Sequence, residues 1–110
     1  MAYDEKLANR VREALARRRG ISEKKMFGGL CFLVDGHMAC GIIGDELVVR
    51  VGPDAYEEAL TKPGAREMDF TGRAMKGMVY VGPRGHGRAP SLKAWVERGL
   101  VYARSLPPKT

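Results

Sequence analysis

Four side chains of this 110-residue chain combine nucleophilic, acid–base or metal-binding capacity near neutral pH: Cys31, His37, Cys40 and His86. Three of them fall in one stretch, Met26 to Ile43, where two apolar runs flank Asp35-Gly36. That dipeptide between apolar runs predicts a β-hairpin. With a two-residue turn, Val34 faces His37 and Cys31 lies directly opposite Cys40, in a non-hydrogen-bonded pair whose side chains are close. A three-residue turn with a bulge would instead put Cys31 opposite Ala39. Three readings of the cysteines follow. They are small apolar fillers, or a candidate redox pair whose cross-strand bridge would be strained and easily reduced, or metal ligands. The metal reading needs both histidines and lacks a C-x-x-C pair, so no metal ligand is assigned. Nucleophilic catalysis needs a base beside the thiol. His37 falls on the strand face opposite the cysteines, and no acidic residue is placed to orient either histidine. No catalytic residue and no cofactor are expected.

The other chemistry on offer is positive charge. The formal net charge is +6, which suits phosphate contacts but equally suits a soluble protein that repels its own copies. Arg17-Arg18-Arg19 is the main cluster, and a helix C-terminus explains it without any ligand. A better anion candidate is the loop of residues 82–88, with Arg84, His86 and Arg88 among glycines ahead of a helix N-terminus. The competing reading is a connection that simply needs glycine, with His86 a mobile surface residue. Residues 26–29 (MFGG) lack the lysine and serine of a P-loop and open a strand. A second polar island, Arg50, Asp69, Thr71, Arg73 and Lys76, sits in an apolar frame. Asp69 paired with Arg50 or Arg73 would pin a hairpin; alternatively, Arg50, Arg73 and Lys76 form a recognition surface for an acidic partner.

Several elements must position these residues. Residues 4–19 predict a helix, capped by Asp4 and ended by Gly20, with Leu7, Val11, Ala14 and Leu15 inward. A short linker, 21–25, leads to the hairpin. Both faces of that hairpin are apolar, which places it centrally, covered on both sides or on one side by a partner. Residues 46–51 form a third strand and 53–62 a short helix started by Pro53. Residues 65–81 form a second hairpin around Thr71-Gly72. The loop of residues 82–90 precedes a helix capped by Ser91, with Leu92, Trp95, Val96, Gly99 and Ala103 inward. The order α-β-β-β-α-β-β-α describes a two-layer α+β domain with an antiparallel sheet.

Length and composition predict a single domain over residues 1–110, large enough for a core without staples. No apolar run reaches the ~20 residues that span a bilayer, and the N-terminus shows no secretory signal. A cytoplasmic protein without membrane association is expected, with its cysteines as thiols.

Four segments in order, MFGGLCFLVDGHMACGI, ELVVRVG with YEEAL, MDFTGRAMKGMVYV and WVERGLVYARSLP, resemble the TfoX N-terminal domain family, also called the TfoX/Sxy family. The resemblance covers nearly the whole chain and implies a compact α+β domain. The family takes its name from bacterial regulators of natural competence, in which such a domain precedes a helical C-terminal domain. This chain, ending at Thr110, is expected to be the N-terminal domain alone. The family carries no established catalytic residues to transfer. With no catalytic constellation and a hairpin apolar on both faces, the chain is expected to be a non-enzymatic regulatory or adaptor domain acting through a protein partner, with a homodimer as one form; the resemblance adds transcription regulation. Nucleic-acid binding and a thiol redox response are the alternatives.

Overall fold

The computed structural model describes residues 3–26, 28–69 and 74–107, with only the backbone of residues 69, 74 and 75. Six strands form one sheet: β1 (Ile21–Met26), β2 (Gly29–Val34), β3 (His37–Ile43), β4 (Glu46–Arg50), β5 (Ala65–Asp69) and β6 (Ala74–Val81). Their spatial order is β1-β2-β3-β4-β6-β5, and every pairing is antiparallel. Among the described residues four helices accompany them: α1 (Glu5–Leu15), α2 (Tyr56–Leu60), α3 (Pro83–His86) and α4 (Ala89–Arg104).

Strand alternation sorts the side chains onto two faces. Leu30, Phe32 and Val34 of β2, Cys40 and Ile42 of β3, Leu47 and Val49 of β4, and Val79 and Val81 of β6 share one face and one buried cluster. Leu7, Val11 and Leu15 of α1, Tyr56 and Ala59 of α2, and Leu92, Trp95, Val96 and Leu100 of α4 complete that cluster. The helical side chains recur at helical spacing, so each helix turns one apolar stripe to the sheet. Asp4 caps α1, accepting hydrogen bonds from the Lys6 and Leu7 amides at 2.9 and 3.3 Å. The α+β class and the antiparallel sheet are as the sequence predicts.

Local departures from expectation have physical causes. The stretch expected as a linker is strand β1, an edge strand whose middle four side chains are exposed. Lacking alternation, it shows no strand signal; it forms because β2 offers a free row of backbone groups. Arg12 of α1 holds Glu23 at the middle of this strand through two hydrogen bonds of 2.8 and 2.9 Å. Helix α1 ends at Leu15, so the arginine run lies beyond the helix rather than in its last turn. Helix α4 begins at Ala89 with Pro90 in its first turn, and Ser91 is inside the helix rather than its cap. The predicted loop after β6 contains the single turn α3.

The first hairpin is resolved in detail by its turn. Asp35 and Gly36 both have positive φ, 51° and 85°, which is the two-residue turn expected. Val34 pairs with His37 and Leu33 with Met38, as predicted, but the register then shifts. Phe32 pairs with Cys40 and Cys31 with Gly41, leaving Ala39 as the extra residue of a bulge. Helix α4 closes on that bulge. A Cβ at Gly99 would strike the Ala39 carbonyl, so only glycine allows the approach.

A candidate docking face on the open side of the sheet

The face of the sheet opposite the helices is also apolar, and of the described helical side chains only Tyr102 of α4 lines the cavity there. Cys31, Val48 and Met68 are 4%, 1% and 3% exposed there. A flat sheet of six strands would separate its edges by about 24 Å, whereas a single cavity of about 500 Å³ is lined by both β1 and β5. The sheet therefore curls around this space, helped by the bulge at Ala39 and a register shift between Glu67 and Asp69. Its lining is methionine-rich, with Met26, Met38, Met68 and Met78 around Cys31 and Gly41. Arg50 and Lys76 complete it, with no carboxylate among the described lining residues. Lys76 is exposed and Arg50 half-buried, so their charges stand at the opening. The Arg50 guanidinium lies 5.4 Å from the centroid of Tyr102, a ring that also borders the cavity.

The bulge divides the cysteines. Cys40 pairs with Phe32 and points into the helix-packed core, whereas Cys31 pairs with Gly41 and points into the open cavity. The predicted direct pairing of the two thiols is thus replaced by projection from opposite faces, which removes the geometry on which a cross-strand bridge rested. Burial pushes the Cys40 thiol up to about 12, with nearby Cys31 adding to the shift. Burial also raises the Cys31 thiol. Both thiols are free, and neither environment favours the thiolate.

The cations singled out in the sequence separate into two places. Arg50 and Lys76 meet at the cavity; Arg73 lies outside the described residues, as does the Thr71-Gly72 turn. Arg84, His86 and Arg88 belong to the α3 region, and there the candidate anion loop is not a cradle. The Gly85 and His86 amides donate to the Gly82 carbonyl at 2.8 and 3.2 Å, and Gly87 donates to Pro83 at 2.8 Å. His86 is 6% exposed rather than on the surface. Its Nε2 donates to the Asp45 carbonyl at 2.9 Å, and its own carbonyl accepts from Arg10 at 2.8 Å. This leaves Nδ1 buried without a partner among the described residues. The glycines serve close packing: a Cβ at Gly85 would lie 2.5 Å from the Pro63 carbonyl oxygen. Arg84 and Arg88 remain exposed, without the histidine and amides that would complete an anion site.

Among the described residues, no group of three or more His, Cys, Asp or Glu side chains could hold a metal ion. No helix there is long and apolar enough to cross a membrane. Sequence reasoning missed the four methionines as a set. The available signal was their placement: Met38, Met68 and Met78 all fall on strand positions pointing away from the helix-packed core.

Residues 13–103 match the family model of the TfoX N-terminal domain, a span that runs from the end of α1 through nearly all of α4 and contains every residue lining the cavity. No curated protein and no solved structure matches the chain. Coverage of most of the chain by one family model, over elements that build a single α+β sheet domain, settles its membership: the chain belongs to the TfoX N-terminal domain family.

Proposed function

We propose that this chain is a non-enzymatic regulatory or adaptor domain acting through a protein partner, and that the partner docks on the helix-free face of the sheet. Family membership supports a regulatory-domain identity. The observation that carries the docking reading is the one-sided covering of the sheet: among the described residues α1, α2 and α4 pack on one face, and an apolar concavity lies on the other. Apolar concavities edged by a few polar groups are what binding partners exploit. Methionine suits such a surface because its unbranched thioether repacks around different shapes.

A partner other than a second copy is favoured, since two chains of +6 meeting through the same basic rim would repel. Direct nucleic-acid binding draws less support. Arg12, Arg18, Lys62, Arg66 and Arg98 are each engaged by a carboxylate, which reduces the cations available for phosphate.

Photo-cross-linking in cells from position 78, with a matching probe at exposed Val101 of α4, tests the reading. The expected result is a partner captured from position 78 but not from 101, and lost in a Met38→Gln/Met68→Gln variant. Capture only from the α4 side, or capture indifferent to the methionines, would overturn it. A homodimer at this face would show itself as the captured species being the chain's own mass, and would replace the heterologous partner.

A further inference from the structure

We infer that the segment received by this face is acidic and amphipathic: bulky apolar side chains enter the methionine-lined cavity while carboxylates beside them pair with Arg50 and Lys76. The inference rests on the docking reading and adds the chemistry of the partner. Two independent features of the cavity require both properties in the same ligand. First, the interior offers almost nothing to a polar group. Met26, Met38, Met68, Met78, Cys31 and Val48 present apolar or weakly polar surface, and a polar group buried there without a hydrogen bond would be penalised. Second, the charges at the opening are of one sign. Arg50 and Lys76 extend from β4 and β6, which are neighbours in the sheet, and no described lining residue supplies a neutralising carboxylate.

Some basic side chains elsewhere are matched internally: Arg12 with Glu23 and Arg18 with Glu97, and Arg98 with Lys62 on Glu58. Arg50 instead lies over the Tyr102 ring, and among the described residues no carboxylate pairs with its guanidinium. A planar guanidinium held in that way suits a carboxylate from a partner. Apolar burial would supply most of the affinity, and the two cations would select the partner and speed encounter.

Fluorescence anisotropy with four labelled probes tests the inference: a twelve-residue peptide alternating leucine or phenylalanine with glutamate, its counterpart with lysine for glutamate, a third with serine for the apolar residues, and a short DNA duplex. Binding of the first alone is expected. Lys76→Glu, at an exposed position, should weaken it about fivefold with the urea midpoint unchanged. Lys93→Glu changes net charge equally on the remote α4 surface and should leave it unchanged. Met38→Gln/Met68→Gln should abolish it. Equal binding of the glutamate and lysine peptides, equal effects of the two charge reversals, retention by the serine peptide, or displacement by DNA would each overturn the inference. If cross-linking still places a partner on position 78 while the glutamate peptide fails, only the acidic chemistry falls; if no face-dependent partner exists, the docking reading falls with it.

Discussion

The two faces of the sheet are built from different apolar residues. On the helix-packed face, Val34, Ile42, Leu47, Val49, Val79 and Val81 are each fully buried. Most are β-branched, with one preferred rotamer, and they lock against the stripes of α1 and α4. On the open face the corresponding positions hold Cys31, Met38, Gly41, Val48 and Met78 around a cavity. The lining combines small residues with flexible thioethers. Apolar alternation marks both faces equally; side-chain stiffness distinguishes a surface finished by its own chain from one left able to repack.

That distinction is broken most directly by truncating one side chain on each face. Phe32→Ala should cost about 3–5 kcal/mol, because its ring is 1% exposed among helices that cannot collapse onto the void. Met78→Ala should cost under about 1 kcal/mol, since it borders space already empty and is half-buried. Urea unfolding midpoints with unchanged slopes give both values. Equal losses would mean that the open face is as much a part of the folding core as the closed one.

A second substitution asks how tightly the closed face is shut. Gly99→Ala places a Cβ against the Ala39 carbonyl, so α4 must lift from the bulge. The strain of such overpacking is about 1–3 kcal/mol. Alanine's helix propensity returns at most about 1 kcal/mol, leaving a net loss. A gain in the same unfolding experiment would show that α4 sits looser on β3 than its glycine implies.

How far the two faces were legible in the sequence follows from what alternation can encode. The hairpin, its Asp35-Gly36 turn, and the inward residues of α1 and α4 could be read because local pattern and tertiary role agree there. The bulge could not. Ala39 looks like any small residue of a strand, and the bulge packs against Gly99, sixty positions away in chain order. One residue of slip moved Cys31 and Cys40 to opposite faces. Strand β1 was illegible for a different reason: an edge strand with both faces near water needs no apolar pattern. His86 was misplaced because a glycine-rich segment suggests a loose loop, whereas its glycines permit close packing beneath Pro63. At the candidate site, Arg50, Lys76 and Cys31 were identified individually, but only the curled sheet brings them to one cavity.

The thiols report the two faces chemically. Cys40 reacts only when the closed face opens, because its thiol is held at about 12 by burial. Cys31 also carries a raised thiol, but it borders the cavity. Labelling with a small disulfide reagent should therefore modify Cys31 first, by about tenfold or more at equal pH, as expected for limited thiolate and unequal access. Both rates should rise with pH, since a raised thiol pKa keeps the thiolate scarce until alkaline conditions. Peptide mapping after partial labelling identifies the modified residue. Mild oxidation should yield no Cys31–Cys40 bridge; formation of one would require the bulge register to slip by a residue.

The smallest effect belongs to the outer rim of the helix layer, where charge rather than burial joins α2 to α4. Glu58 of α2 accepts from Arg98 of α4 at 2.8 and 3.0 Å and pairs with Lys62 at 3.3 Å. Hydrogen bonds from Arg98, then Lys62, lower its carboxyl to about 2. The sign follows from linkage. The unfolded carboxylate takes up a proton first as pH falls, so the contribution is complete above the ordinary carboxylate range and disappears as pH drops toward about 2. Solvent screening keeps it small at so exposed a site. Glu58→Gln should therefore shift the urea midpoint slightly at neutral pH, and the gap from the unsubstituted chain should close between about pH 5 and about pH 2. Added salt at neutral pH should narrow the same gap. A gap that persisted in acid would mean that the effect of Glu58→Gln arises from packing of α2, and that burial holds this rim of the closed face as it holds the centre.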